Sequence, residues 1–386
     1  VLNFNPRILT GARRTIARFH LIVVALALLS AFSPTAFART VTDIDGNQVA
    51  IPDHPQRIVL GESRMLYTLA MLEPNDPFQH IVAWPLDLKK YDRQTWDIFA
   101  QRFPKMLNIP ALGQNSATGL SPEKILALKP DVVILPSLAR YDDATLQLNH
   151  ILKAAHIPVV KIDLRVHLLK NTTRSVQILG EVLNQNARAQ AFTRFYDAHM
   201  QRIQQRLASS KRPKPTVLLQ LHLGRRNECC VTAVQGSLGE LLAFAGGENI
   251  GGKTINGVFG RLSEETVIAS QPEFYIATGA GGLQDQDDLK LGPTIPPEMV
   301  QNSLTALTAK QNGLRELKAL HNGHTAAVWQ NFYLSPWHVA ATEFIAKTLY
   351  PDLFADVDPQ QTLQQIFHDY LPIPYSGTFF AQLATR

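Results

Sequence analysis

The sequence predicts an α/β protein: two Rossmann-like α/β lobes joined by a long connector helix. Three observations carry that expectation. Helical and β-branched runs alternate from Arg57 to Asp163 and again from Thr216 to Gln330, the pattern of an open sheet covered by helices. Residues 167–209 break the rhythm with two helical segments and no strand between them. The stretch "SPEKILALKPDVVILP" (121–136) is echoed by "SEETVIASQPEFYIAT" (263–278), so each half carries a similar unit.

Residues 1–38 stand apart from this pattern. Arg7, Arg13, Arg14 and Arg18 precede a short apolar run from Leu21 to Phe32, and the segment ends in Ala36-Phe37-Ala38. That is the layout of a secretory signal peptide, with cleavage expected before Arg39. The run falls well short of the roughly 20 residues of a spanning helix. Arg13-Arg14 also fits a twin-arginine export signal loosely, and the lack of a nearby cysteine argues against a lipid anchor. The first lobe is assigned to 39–166, the connector helices to 167–212 and the second lobe to 213–386.

Each element follows from local chemistry. Thr40–Ile44 and Gln48–Ile51 flank Asp45-Gly46-Asn47, a strong hairpin signal. "RIVL" (57–60) is a buried strand leaving through Gly61-Glu62-Ser63 into the helix "RMLYTLAML", and "HIVAW" (80–84) precedes the helix "DRQTWDIFAQRF". In 121–136, Ser121 is the N-cap, Pro122 takes the first helical position, Glu123 lies in the first turn, and Pro130-Asp131 stops the helix before the strand "VVIL". A further helix and the strand "PVVKID" complete the first block. "NARAQAFTRFYDAHMQRIQQRLAS" is the long connector. In the second block, Thr216–His222 is a strand, Ser237 is expected to cap the helix "LGELLAF", and Thr325–Gln330 is another strand. Thr342–Tyr350 is a helix, and the tail adds one more helix and an irregular closing segment.

Composition excludes several classes. The formal net charge is +5, but four of the 37 basic residues fall in 1–38, which holds no acid. The remainder is close to neutral, so nucleic acid is not an expected partner. Two cysteines in so long a chain cannot form a disulfide framework. Neither a G-x-S-x-G elbow nor an H-E-x-x-H motif is present, which leaves an exported α/β enzyme a weak alternative.

Five motifs in order carry a resemblance: "DIDGNQVAIPDHPQRIV", "SPEKILALKPDVVI", "LGELLAFAGGENIG", "LSEETVIASQPEFYI" and "SPWHVAATEFIAKTLYPDLF…FHDYLPIPYSGTFF". Together they resemble the class III periplasmic substrate-binding proteins of ABC importers, the group serving ferric siderophores, haem and cobalamin, and the tail is most similar to the ferric-siderophore members. The resemblance implies a periplasmic, monomeric binding protein without catalytic activity or resident cofactor. It implies two lobes joined by one long helix, a ligand in the cleft between them, little hinge motion, and delivery to an inner-membrane ABC permease through one acidic residue per lobe. Glu123 and Glu240 are the expected pair, although each would also serve as an ordinary helix-start carboxylate.

In open α/β sheets, ligands meet loops at the carboxyl ends of strands. Those loops hold Arg64, Arg140, Arg225, Arg226 and Arg261, whose guanidinium forks suit an anionic ferric chelate. Trp84, Phe332, Tyr333 and Trp337 would wall the ligand or pack in the core, and Trp84 is the favoured wall residue. A haem or corrinoid ligand remains open through His222, Tyr333 and His338 as axial candidates.

The adjacent Cys229 and Cys230 admit three readings: metal ligands, reduced core residues or a vicinal disulfide stiffening the loop behind Arg225 and Arg226. In an oxidising compartment the disulfide is preferred. No metal site is expected.

Overall fold

A computed structural model describes residues 38–115, 119–137, 142–225, 229–283, 285 and 287–383. The expected signal peptide lies outside them, apart from Ala38. Among the described residues no helix is long and apolar enough to cross a membrane.

The described chain opens with an antiparallel hairpin, β1 (Ala38–Thr42) and β2 (Gln48–Pro52). The first sheet then collects β3 (Ile58–Leu60), β4 (Ile81–Ala83), β5 (Val132–Pro136) and β6 (Val159–Ile162), all parallel, in the order β4-β3-β5-β6. Helices α1 (Leu66–Leu72), α2 (Asp87–Tyr91), α3 (Arg93–Arg102), α4 (Pro122–Leu128) and α5 (Asp143–Ala154) lie between those strands in sequence. Both faces of the sheet are covered. Ile58, Leu60, Val132 and Ile134 face the main core, while Val59, Val133 and Leu135 face a smaller cluster with Ile125, Leu148 and Leu152. The period of two sends alternate residues to opposite faces, and burial on both turns the strands into unbroken apolar runs.

The connector consists of two packed helices rather than one. Helix α6 (Leu168–Leu183) ends at Asn184, which takes a left-handed conformation, and α7 (Asn186–Ala208) follows. At 23 residues, α7 is about 34 Å long. It is fixed along its length: Arg188 Nε donates to Met71 O (2.8 Å), Tyr196 OH meets His338 Nε2 (2.7 Å), and Arg206 pairs with Asp356 (2.6 Å). Burial pushes the His338 imidazole down to about 3, so it sits neutral beneath the connector.

The second sheet holds β7 (Thr216–Gln220), β9 (Glu248–Asn249), β11 (Phe274–Gly279), β12 (Thr325–Trp329) and β13 (Phe380–Gln382) in the order β13-β12-β11-β7-β9. All are parallel except β13, which runs antiparallel along the edge of β12. Strands β8 (Val231–Ala233) and β10 (Phe259–Arg261) form a separate ribbon. The helices of this half are α8 (Leu238–Phe244), α9 (Glu264–Ser270), α10 (Pro297–Lys310), α11 (Asn312–Arg315), α12 (His338–Leu349) and α13 (Pro359–Tyr370). Leaving β13 aside, both sheets place their strands 2-1-3-4 by order of appearance. The sequence echo maps onto this symmetry: α4–β5 and α9–β11 are the helix and third strand of their lobes. Ser121 Oγ accepts from Lys124 N (3.3 Å) and Ser263 Oγ from Thr266 N (3.2 Å), and each helix stops at a left-handed residue, Lys129 or Gln271.

Three local expectations need correction. Ser237 makes no side-chain cap; its φ is +53°, and its backbone N–H donates instead to Val166 O (2.8 Å). Helix α12 begins at His338, four residues before the expected start. The closing segment is not wholly irregular, because its backbone completes the ladder of β12.

The two sheets share one continuous core. Tyr67 of α1 contacts Trp329 and Trp337 at ring-centroid distances of 5.7 and 5.2 Å, and the Trp337 indole donates to Met71 Sδ (3.2 Å). Two lobes welded by buried aromatics should unfold together. Trp337→Ala is expected to cost about 3–5 kcal/mol, and urea unfolding should stay a single transition at a lower midpoint; two separate transitions would contradict a shared core.

Candidate functional site

Loops from the carboxyl ends of both sheets converge on a cavity of about 530 Å³, lined among others by Arg64, Lys90, Tyr91 and Arg165 from the first half and His222, Arg225, Asn331 and Tyr333 from the second. The site sits where a doubly wound sheet places it. The crossovers after the first and third strands diverge, opening a crevice beyond their ends.

Arg64 forms the floor. It sits on the turn after β3 and is 5% exposed. Its Nε donates to Asp87 Oδ2 (2.9 Å), Nη2 to Glu62 Oε1 (3.0 Å), and Nη1 to Tyr333 OH (3.0 Å). Asp87 is fixed in turn, accepting from Ser63 N and Ser63 Oγ, both at 2.8 Å. Arg165, after β6, also donates to Glu62 and lies 3.4 Å from Tyr333 OH. Two guanidiniums, two carboxylates and a phenol therefore tie the lobes together at the base of the cavity. Burying such charges is affordable only because each has partners.

The upper wall is looser. Arg225 Nε and Nη2 both reach Asp288 Oδ2 at 3.1 Å, and its guanidinium carbon lies 5.8 Å from the Tyr91 ring centroid. Burial raises the Asp288 carboxyl above the usual carboxylate range, with Arg225 opposing that shift. Lys90 Nζ donates to Asn115 Oδ1 (2.8 Å) and approaches the Tyr91 ring. Among the described residues it is the lining cation with no carboxylate partner.

The structure thus brings Arg64, Arg225 and Tyr333 to the cavity. Trp84 does not reach it. The indole is buried against Phe78 and Trp96 at 5.6 and 5.7 Å, because a position after a strand fixes the backbone and not the direction of the ring. Trp337 and Phe332 are core residues with no exposed surface, and His338 is buried against Tyr196 away from the cavity. Arg261 lies exposed on β10, outside the lining. Arg140 and Arg226 lie outside the described residues. Lys90, Tyr91 and Arg165 were missed by reading the sequence. Lys90 and Tyr91 sit on a short helix several residues beyond β4, whereas Arg165 follows β6 at the end of the first lobe, a strand end that was not singled out.

Cys229 and Cys230 are joined as a disulfide, both buried, beside β10, where Cys230 N donates to Leu262 O (3.0 Å). Among the described residues no cluster of three or more His, Cys, Asp or Glu side chains is arranged to hold a metal. Glu123 is exposed in the first turn of α4; its own backbone N–H and the Ser121 hydroxyl lower its carboxyl. Glu240 is more occupied: it meets His167 Nδ1 (3.2 Å) and accepts from Leu169 N (3.2 Å). By strand order, the counterpart of Glu123 is Glu265 rather than Glu240.

The family model described as periplasmic binding protein matches residues 88–325, and the chain belongs to that family. A molybdate-binding protein, MolA of Haemophilus influenzae, is 25% identical over 93% of this chain and 97% of its own length. Among solved structures, the TroA-like periplasmic binding protein FepB from Veillonella parvula superposes with a TM-score of 0.78 at 25% identity, over 89% of this chain and 99% of that one. A periplasmic heme-binding protein from Pseudomonas aeruginosa shares the fold at a TM-score of 0.56 and 18% identity, over 86% and 99% of the two chains.

Asp87→Ala would leave Arg64 buried with half of its charge compensation and should destabilise the protein by about 3–5 kcal/mol. Arg93→Ala breaks an exposed pair with Asp97, and its effect should stay within about 0.5 kcal/mol. Urea denaturation of the two variants side by side checks both.

Proposed function

We propose that this periplasmic binding protein captures an anionic ferric chelate of the siderophore type in the interlobe cavity and hands it to an inner-membrane ABC importer. The observation that carries the reading is the cavity itself. At about 530 Å³ it lies within the roughly 300–1,000 Å³ that holds a drug-sized ligand. Its lining offers Lys90 and Arg225 as donors above the base formed by Arg64 and Arg165, together with the Tyr91 and Tyr333 rings. Ferric catecholates and hydroxycarboxylates carry anionic oxygens on their outer face, which guanidinium groups grip in pairs. The likeness to FepB over nearly all of that chain is consistent with this. Arg140 and Arg226, outside the described residues, are proposed as further ligand contacts, and the disulfide at Cys229 and Cys230 is proposed to stiffen the segment that follows Arg225.

Molybdate is the second reading, favoured by the relative that aligns over 93% of this chain. A bare tetrahedral oxyanion would leave most of the cavity to water, which is why the larger chelate is preferred. A haem or corrinoid loses one axial candidate, since His338 faces the core, and keeps two, since His222 and Tyr333 line the cavity. For docking to the permease, Glu123 with Glu265 fits the two-lobe symmetry better than Glu123 with Glu240.

Tryptophan-fluorescence titration of the protein lacking residues 1–38 tests the assignment, with ferric tris-catecholate, ferric citrate, a ferric hydroxamate, haem, cobalamin and molybdate as probes. Saturable sub-micromolar binding of an anionic ferric complex is expected, weakened at least tenfold in Arg225→Ala. Tight binding of molybdate with no response to the ferric complexes would transfer the assignment to the oxyanion.

A further inference from the structure

Arg225 differs from the other two cavity guanidiniums in what its neighbours leave free. Arg64 spends Nε, Nη2 and Nη1 on Asp87, Glu62 and Tyr333. Arg165 directs Nη2 to Glu62 and Nη1 to Tyr333. Arg225 places Nε and Nη2, the two nitrogens of one edge, on a single oxygen of Asp288. Among the described residues nothing engages its Nη1, so the end of the guanidinium formed by Nη1 and the second Nη2 hydrogen is left for another acceptor with two oxygens.

Asp288 is no casual surface partner. Its side chain is 11% exposed while that of Arg225 is 37% exposed, so the acid lies behind the base. Its backbone is clamped between the two loops that form this wall. Leu289 N donates to Leu223 O (3.0 Å) and Gly281 N to Leu289 O (2.9 Å). A Cβ on Gly281 would stand 2.6 Å from Asp288 Cβ, and one on Gly224 (φ +93°) would stand 1.9 Å from Asp287 O. Both glycines admit a backbone approach that any side chain would block. Lys290 Nζ closes the segment onto Gly282 O (2.7 Å). The carboxylate is thus held on a fixed support at the back of the cavity wall.

We propose that Asp288 is a positioning residue for ligand selection. By occupying the Nε edge of Arg225 it aims the remaining fork into the cavity, suiting that contact to a group that presents two neighbouring anionic oxygens, such as a carboxylate or a catecholate. This rests on the cavity being the ligand site, and it goes further by naming the residue that sets the geometry of one contact. A guanidinium held by a rigid acid loses less rotamer freedom on binding than a free one. Asp288 also offsets the charge of Arg225, so the contact selects by shape and hydrogen bonding more than by net charge.

The test compares Asp288→Asn, Asp288→Glu, Arg225→Lys and the double variant Asp288→Asn/Arg225→Lys. Ferric tris-catecholate and ferric citrate serve as probes. The positioning role predicts about tenfold weaker binding of both probes for Asp288→Asn and for Arg225→Lys, no further loss in the double variant, and partial rescue by Asp288→Glu. Equal or tighter binding by Asp288→Asn would show that the acid competes with ligand, and multiplying effects in the double variant would show independent action; either overturns the proposal. A readout without ligand separates this failure from that of the site assignment. The Arg225 Nε–H signal, assigned through its loss in Arg225→Lys, should exchange slowly in the parent protein and rapidly in Asp288→Asn. Slow exchange with no probe bound would retain the positioning role while rejecting the ligand class, and fast exchange in the parent protein would overturn the positioning role itself.

Discussion

A buried arginine at the junction of two lobes sets the terms for everything around it. Arg64 has almost no contact with water, and an uncompensated guanidinium there would cost more than the fold can supply. Its partners come from three places: Glu62 two residues before it, Asp87 after β4, and Tyr333 in the turn after β12 of the far sheet. Satisfying one charge therefore fixes the turn after β3, the start of α2 and the approach of the second sheet. The shared aromatic core of Tyr67, Trp329 and Trp337 joins the two lobes beside the same junction.

This arrangement changes what a cationic cleft means. Counted by residue type, the cavity looks strongly positive, but its arginines are paired with Glu62, Asp87 and Asp288. An anion at this site would meet muted attraction at long range, and hydrogen-bond geometry at contact would set the discrimination. Preorganised donors lose little entropy on binding, so a near-neutral cavity of fixed forks can still hold an anion firmly. Such a site suits a carrier that must also release its ligand.

The internal symmetry is the second organising fact. Both lobes use the same strand order and the same capped helix before the third strand. The cavity is consequently bounded by equivalent loop positions from two related units, and α7 locks the units at the back through Arg188, Tyr196 and Arg206. The antiparallel β13 and the β8–β10 ribbon are the features that distinguish the second lobe.

Much of the fold was legible in the sequence because it is local physics. Caps at Ser121 and Ser263, the Pro-acid stops and the β-branched runs specify helices and strands within a few residues of themselves, and the echo between 121–136 and 263–278 announced two lobes. Alternation of helix and strand also identified the loops that would meet at the cavity, and so Arg64, Arg225 and Tyr333. What tertiary structure decided is the direction of side chains and the identity of partners across the chain. Trp84 and Trp337 turned inward because large indoles bury more area in the core than at a wet rim. Lys90 entered the cavity from a helix position that no strand-end rule selects, and Arg165 from the loop after β6, where the sequence alone does not show which side chain turns inward. The pairing of Arg225 with Asp288 joins residues 63 positions apart through two glycine contacts, and only the folded backbone brings them together.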